Sequence, residues 1–160
     1  MNTLWNYIFS KKSVNLVLLL KRSLLFRNFN RKELLILLKF MHLRKYQSNE
    51  LLFSEKKQSN GIYFVKSGKV KIINKNKEIA ILKTGEFFNE LNILDDPIDC
   101  TTALSSEDSE ILVLFKVDLL RLINKRSKLA IKFLINLNHI TKERLKLTYE
   151  ELLKTKHEPK

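Results

Sequence analysis

Short apolar segments separated by turn residues fill the middle of the chain, from Leu43 to Phe115, and they limit the fold more than any other feature. A period of two is typical of strands, and Gly, Asn and Ser between such segments are typical of tight turns. Many short, closely spaced strands favour an antiparallel sandwich or barrel. The predicted strands are Leu51–Phe53, Ile62–Val65, Val70–Ile73, Ile79–Leu82, Thr101–Leu104 and Ile111–Phe115.

Helical patterns precede these strands. Residues 1–29 carry apolar residues spaced as one face of a helix or of two short ones. Lysine and arginine interrupt them, so an amphipathic helix on a membrane surface is an alternative to packing on the domain or on a partner chain. Asn30 and Glu33 have the spacing of a capping box at the start of a clearer helix. The predicted buried face of that helix is Leu34, Leu35, Leu37, Leu38 and Met41.

A helical pattern returns after Phe115, first over Asp118–Ile123 and then, past a possible cap at Ser127, to about Leu153. A helix of this length exceeds what a small barrel can cover, so part of its apolar face needs another partner. Its predicted stripe is Ala130, Leu134, Leu137, Thr141, Leu145 and Leu152, widened by Phe133, Ile140 and Leu147.

The stretch from Lys83 to Leu104 has residue types that suggest more than packing. Gly85-Glu86 ends a predicted strand, and the next residues, 88–91, begin a short helical turn whose first backbone N–H groups lack helical partners and suit an anion. A strand that begins near Cys100 would run alongside. No Lys or Arg occurs between Gly85 and Phe115, while Asp95, Asp96 and Asp99 add negative charge near the mouth. The sequence therefore predicts a pocket without a cation of its own.

This stretch resembles the phosphate-binding cassette of cyclic nucleotide-binding domains, in which Phe-Gly-Glu-Leu-Ala and a loop precede an Arg and a small residue. The resemblance implies that Glu90 binds a ribose 2′-hydroxyl, that the backbone N–H of Leu91 meets the cyclic phosphate, and that Thr101, followed by Thr102, takes the small-residue position. The family's Gly is replaced by Asn89, which tolerates positive φ better than other non-glycine residues. Glu90 also suits the first turn of a helix without any ligand, because the helix dipole stabilises a carboxylate there.

Cys100 stands where the family's Arg holds the phosphate. A hydrogen bond to a charged group contributes about 1.5 to 3 kcal/mol, so its loss weakens binding by roughly ten- to a few-hundred-fold. We therefore expect the fold to be kept and the ligand to be lost or changed, with cAMP or cGMP still possible as a ligand. On an apolar strand Cys100 is expected to be an inert packed thiol, with redox sensing as the alternative.

The resemblance extends to about residues 24–125, through Asn49–Phe53, Tyr63–Val65 and Gly68–Val70. It implies a mainly β fold, a jelly-roll double-stranded β-helix with flanking helices. The implied organisation is an N-terminal helical extension (1–23), the barrel domain (24–125) and a C-terminal helix (126–160). In the bacterial activators of this family the corresponding helix forms a two-fold dimer and covers the pocket. The resemblance thus implies a homodimer through residues 127–153 and a lid at Arg144 and Leu145.

The chain carries a formal charge of +13, with its basic residues spread along it. Nucleic acid, an anionic membrane or an acidic partner would each fit this charge, as would a compositional bias rich in Lys, Asn and Ile. Residues 154–160 are too few for a helix-turn-helix domain, so sequence-specific DNA binding is not expected. A single cysteine excludes an internal disulfide and agrees with a cytoplasmic setting.

Catalytic and metal-binding patterns are weak. His42, His139 and His157 are far apart and form no metal-ligand spacing, and no nucleophile-base constellation stands out, so neither a metal site nor an enzyme is expected. The sequence instead predicts a regulatory ligand-sensing or scaffolding domain. One alternative is a working cAMP or cGMP sensor that acts through an unidentified protein partner. Another is a basic interaction protein that docks on nucleic acid or membrane.

Overall fold

Two antiparallel sheets, each of four strands, lie face to face in the computed structural model, which describes residues 11–54, 60–93 and 101–156. The first sheet has the order β1-β8-β3-β6 and the second the order β2-β7-β4-β5. The strands are β1 (His42–Tyr46), β2 (Leu51–Phe53), β3 (Gly61–Ser67), β4 (Lys69–Asn74), β5 (Lys77–Lys83), β6 (Phe87–Phe88), β7 (Thr101–Ser105) and β8 (Ser109–Phe115).

Helices pack on the outer face of the first sheet. They are α1 (Lys11–Arg22), α2 (Arg31–Leu38), α3 (Lys116–Lys125) and α4 (Ser127–Lys156), with short 3-10 turns at Leu24–Phe26 and Glu90–Asn92. The predicted capping box at α2 is confirmed. Asn30 accepts from the backbone N–H of Glu33 at 2.9 Å, and the Glu33 carboxylate accepts from the backbone N–H of Asn30 at 2.7 Å.

The two sheets differ in sequence pattern because they differ in burial. Strands β3 and β8 are apolar almost throughout because the first sheet is covered on both faces: Tyr63 and Val65 point at the second sheet, while Ile62 and Phe64 belong to the core under the helices. Strand β4 alternates instead, since only one face of the second sheet is buried.

The helices and the sandwich enclose two apolar cores, one on each side of the first sheet. Between the sheets lie Phe53, Tyr63, Val65, Val70, Ile72, Phe88, Ala103, Ile111 and Val113. The larger core, between the first sheet and the helices, includes Leu20, Phe26, Leu34, Leu37, Phe64, Leu114, Leu119, Leu122, Ala130 and Phe133. Helix α4 is thereby fixed to the barrel along its first half.

The fold class and all six predicted strands are confirmed, whereas β1 and β6 were not predicted. Both are edge strands. β1 carries exposed charged side chains, and β6 has only two residues, one of which was assigned to the following helical turn. α4 continues to Lys156, and the predicted stripe divides: Ala130, Phe133 and Leu137 are buried, whereas Leu145, Leu147 and Leu152 are exposed. Residues 1–10 lie outside the described part of the chain.

Candidate ligand pocket

The turn after β6 begins at Asn89, whose backbone is left-handed, with φ 63° and ψ 28°. Its side-chain Nδ2 donates to the carbonyl oxygen of Gly61 on β3 at 2.8 Å. Asparagine is the residue other than glycine that most readily adopts this conformation. Asn89 therefore keeps the backbone geometry expected of a glycine and adds a hydrogen bond that glycine does not offer.

A small cavity of about 160 Å³ opens beside this turn, between it and the start of β7. Its walls combine the turn with apolar side chains from the inner faces of both sheets: Phe53, Ile72, Phe88, Asn89, Glu90, Leu91 and Thr101. Pockets for drug-sized ligands usually have about 300 Å³ or more. The cavity is thus large enough for part of such a ligand and not for the whole.

Two aromatic rings of the cavity wall, Phe53 and Phe88, pack on a third ring, Tyr63, in the core between the sheets. Phe88 stacks on Tyr63 with ring centroids 5.2 Å apart and an interplanar angle of 22°. Phe53 lies 5.2 Å from Tyr63 and 6.1 Å from Phe88, measured between centroids. Aromatic contacts of this kind add about 0.5 to 1.5 kcal/mol to the burial of the rings. This side of the cavity is therefore apolar, and its polar groups lie at the rim.

The rim carries an ion pair between the barrel and α4. Arg144 Nη1 donates to Glu90 Oε1, and Arg144 Nη2 donates to the carbonyl oxygen of Phe87 at 3.1 Å. The guanidinium carbon also lies over the Phe87 ring, 4.6 Å from its centroid. The Glu90 side chain is 9 % exposed and the Arg144 side chain 45 %. A carboxylate this buried needs a cation, and α4 supplies one.

Contacts earlier on α4 set the position of Arg144. Asn136, two turns before it, is buried and donates from Nδ2 to the carbonyl oxygens of Leu25 at 3.0 Å and Arg27 at 2.9 Å. One turn further back, Lys132 donates to both carboxylate oxygens of Glu33, at 2.8 and 3.1 Å. That hydrogen bond lowers the pKa of Glu33, although burial opposes it. These bonds tie α4 to the segments that precede the barrel.

On the other side of the ion pair lies a groove of about 390 Å³ between the end of α1, the turn after β5 and α4. Phe87 and Arg144 contribute to its wall, whereas Glu90 belongs to the wall of the smaller cavity. The Arg144–Glu90 pair therefore stands between the two spaces. The rest of the groove's wall includes the apolar side chains of Leu24, Ile140 and Leu147. Arg22, His139 and Glu143 are among its polar side chains.

The predicted site residues separate into two groups in the structure. Asn89, Glu90, Leu91 and Thr101 line one cavity, and Arg144 meets it through Glu90. Thr102 does not line the cavity, because neighbouring strand residues face opposite sides of a sheet. Leu145 is 69 % exposed and points away from Arg144's side of α4, so it does not cover the pocket. Cys100 and the three aspartates predicted at the mouth lie outside the described residues.

Two features of the site were missed at the level of sequence. Phe87 provides both a carbonyl acceptor and a ring for Arg144, yet it was not singled out. Phe53 and Ile72 lie on predicted strands but were not assigned to the pocket. Period-two alternation places them, like Ala103, on inward-facing positions, and this was the signal available.

No group of three or more His, Cys, Asp or Glu residues is arranged to hold a metal ion within 11–54, 60–93 and 101–156. Over the same residues, every helix is too short or too polar to cross a bilayer.

Comparison with known proteins agrees with this architecture. The sequence profile of the cyclic nucleotide-binding domain matches residues 43–126. The cyclic AMP receptor protein of Thermus thermophilus is 31 % identical over 111 residues, which are 66 % of this chain and 51 % of the receptor. A cGMP-dependent protein kinase of Eimeria tenella is 32 % identical over 79 residues, which are 49 % of this chain and 8 % of the kinase. The chain thus spans about half the length of the receptor.

Solved structures give the same result. The catabolite activator protein of Thermus thermophilus superposes with a TM-score of 0.74 at 29 % identity, covering 84 % of this chain and 63 % of that protein. A cyclic nucleotide-binding domain from Methylobacillus flagellatus reaches a TM-score of 0.76 at 21 % identity, covering 89 % of this chain and 83 % of the other. The jelly-roll sandwich with flanking helices, shared with the catabolite activator protein, defines a class of regulatory domains. Within that class, the chain belongs to the cyclic nucleotide-binding domain family.

Proposed function

We propose that this chain is a non-catalytic regulatory domain that senses a small molecule in the β6–β7 pocket without the phosphate clamp usual in its family. The observation that carries the proposal is the cavity beside Asn89 and Glu90, whose rim is completed from α4 by Arg144. A ligand at this rim contacts the barrel and the helix together. Occupancy is thereby linked to the position of α4, which gives a sensor its output.

The ligand is not held as cAMP or cGMP is usually held, because Cys100 takes the place of the phosphate-binding arginine. If no ligand binds, the same proposal describes a scaffolding domain whose pocket is unused. The competing alternative is a working cyclic-nucleotide sensor whose phosphate is bound by other groups and whose signal passes to a partner protein. The relatives' names favour this alternative, since one of them is a cyclic AMP receptor protein.

A homodimer through residues 127–153 forms part of the proposal. Positions 131, 135, 138, 142, 145, 149 and 152 of α4 follow alternating steps of four and three, as in a coiled coil. Ile131, Ile135, Leu145 and Tyr149 at these positions are each more than half exposed. Arg144 faces the barrel on another side of the helix, so a second copy would leave the pocket rim intact. Asn138 and Lys142 interrupt the stripe, and polar residues at such positions fix register.

Thermal unfolding with and without about 1 mM cAMP or cGMP tests the ligand. A ligand at a hundred times its dissociation constant stabilises the folded state by about 2.7 kcal/mol. A clear rise in melting temperature with either nucleotide would favour the sensor. No rise would favour a changed or unused pocket and direct the search to other anionic metabolites and to protein partners. The proposed setting is the cytoplasm.

A further inference from the structure

The positive charge of the chain is concentrated on one side of the molecule. Residues 11–41 and 116–132 contain the helices that cover the outer face of the first sheet, and they are termed the helical layer. They hold 14 Lys and Arg residues but only two carboxylates, whereas residues 42–115, which contain the strands, hold 10 Lys and Arg and 11 Asp and Glu. The helical layer thus carries +12 of the formal charge of +13, although the basic residues are spread along the sequence.

We propose that the helical layer docks the protein on the anionic surface of a lipid bilayer. This inference goes beyond the proposed ligand-sensing function and does not depend on it. Each Lys or Arg near such a surface strengthens binding by roughly fivefold, so a few of them in contact are enough to hold the protein there. The second sheet lies on the far side of the first sheet and would then face the solvent.

The two carboxylates of the helical layer are compensated within the molecule. Glu33 accepts hydrogen bonds from Lys132, the shorter of them at 2.8 Å. The Asp118 side chain is 8 % exposed, accepts from Arg121 Nη1 at 3.3 Å and lies 2.9 Å from Nε2 of His42. Because each carboxylate already has a basic partner, the other Lys and Arg side chains of the layer keep their charge for an external anion.

The two segments of the helical layer meet where α2 and α4 begin. The Glu33–Lys132 ion pair joins these two helices, and Asn136 binds the main-chain carbonyl of Arg27. Arg126 lies six residues, about 9 Å along the helix axis, before Lys132. Five exposed basic side chains form this basic corner: Arg27, Arg31, Lys32, Lys125 and Arg126. No carboxylate of the described residues forms an ion pair with any of the five.

Exposed aliphatic side chains among these charges favour a bilayer over a nucleic acid. Leu18 and Leu24 are 55 % and 65 % exposed, and Val117 and Leu120, about one turn apart on α3, are 63 % and 44 % exposed. The headgroup region of a bilayer accepts aliphatic groups beside Lys and Arg, whereas a phosphodiester backbone offers them no partner. Within its described residues, the aromatic side chains of the layer are buried or half-buried, so no exposed ring is present to stack on bases.

Two triple variants that remove equal charge from opposite sides of the molecule test the docking face. The corner variant is Arg31→Gln, Lys32→Gln and Lys125→Gln. The matched sheet variant is Lys75→Gln, Lys77→Gln and Lys83→Gln, at exposed positions on β5 and in the turn before it. Sedimentation measures their binding to vesicles of phosphatidylcholine alone and of phosphatidylcholine with about one-third phosphatidylserine.

The wild type should bind only the vesicles that contain phosphatidylserine. The corner variant should bind them roughly tenfold to a hundredfold more weakly, and the sheet variant should bind as the wild type does. Equal losses in the two variants, or no preference of the wild type for phosphatidylserine, would overturn the proposal. Binding of duplex DNA by the wild type at a salt concentration where these vesicles are not bound would overturn it in favour of nucleic acid.

A pair of double variants tests the aliphatic contribution in the same assay. Val117→Gln with Leu120→Gln should weaken vesicle binding severalfold, because both side chains are exposed on α3 beside the basic residues. Ile79→Gln with Ile81→Gln, which removes exposed aliphatic groups from β5, should leave binding unchanged. The opposite ranking would place the docking face on the second sheet and overturn the proposal.

Hydrogen exchange of the wild type with and without phosphatidylserine vesicles provides a readout that needs no substitution. Amide exchange should slow in the helical layer, at residues 16–41 and 116–132, and should stay unchanged in β4 and β5. Slower exchange confined to β4 and β5 would contradict docking through the helices. If the corner variant fails to fold, this comparison of the two faces of the wild type decides the question by itself.

Discussion

Asn136 on α4 donates from Nδ2 to the carbonyl oxygen of Leu25, at 3.0 Å, across 111 positions of sequence. The same nitrogen donates to Arg27, and the side chain is almost fully buried. This one amide satisfies two main-chain acceptors of the 3-10 turn that precedes the barrel. It also fixes the register of α4 two turns before Arg144.

Replacing Asn136 by Ala should lower the free energy of unfolding by about 1 to 3 kcal/mol, because buried carbonyl groups are left without donors. Urea unfolding measures the loss. Asn124→Ala is the matched control, since Asn124 is exposed on α3 and lies outside the proposed dimer stripe, and it should change stability by less than about 0.5 kcal/mol. Equal effects of the two substitutions would contradict the anchoring role.

The Glu33–Lys132 pair predicts that the stability of the folded protein depends on pH. The hydrogen bond from Lys132 lowers the pKa of Glu33 in the folded state, so the folded state binds this proton less readily than the unfolded state. The stabilisation is therefore present above the unfolded pKa of about 4.3 and is lost as the pH falls through the lowered folded value.

Glu33→Gln measures that contribution when its unfolding is compared with wild type from pH 7 down to pH 3. The stability difference should be largest near neutral pH and should shrink below about pH 4. Glu151→Gln, an exposed glutamate on α4, is the control and should show no such trend. A difference between wild type and Glu33→Gln that stays constant with pH would argue against a charged pair.

Several elements were predictable because their signals are local. The capping box depends on residues three apart, and the apolar runs of β3 and β8 follow from burial of both faces of one sheet. The cassette resemblance placed Asn89, Glu90 and Thr101 together, and they do line one cavity. Each of these features is encoded within a few neighbouring residues.

What could not be predicted depends on long-range contacts. The family resemblance implied a lid at Arg144 and Leu145, yet neighbouring helix residues lie about 100° apart, and only Arg144 faces the barrel. That Arg144 pairs with Glu90, 54 positions away, depends on how Asn136 and Lys132 dock α4. The sequence of edge strand β1 shows no clear period-two pattern of apolar residues, because exposed charged residues interrupt it.

The surroundings of Gly68 lead to a further prediction about the stability of the barrel. Its φ is +87°, and a Cβ there would lie 2.8 Å from both the carbonyl oxygen of Asp108 and Cα of Ser109. Gly68→Ala therefore combines backbone strain with a clash against main-chain atoms. Gly85→Ala is the matched control, because Gly85 has φ +94° and open space around the same position.

Thermal or urea unfolding should rank these two variants. Gly85→Ala should cost about 1 to 2 kcal/mol from backbone strain alone. Gly68→Ala should cost clearly more, because the turn between β3 and β4 must also move away from Asp108 and Ser109. Equal losses would contradict the close approach of Gly68 to Asp108 and Ser109.

Two variants, each with one negative charge introduced on a different face of α4, test the homodimer. Leu145 and Leu147 are both exposed, but they lie about 200° apart around the helix, and only Leu145 falls on the stripe of alternating steps. Leu145→Glu should therefore shift the protein to a monomer in light scattering coupled to size exclusion, because a buried unpaired carboxylate at a two-fold seam meets its own copy. Leu147→Glu should remain dimeric. A monomeric wild type, or dissociation by Leu147→Glu alone, would place the interface elsewhere or remove it.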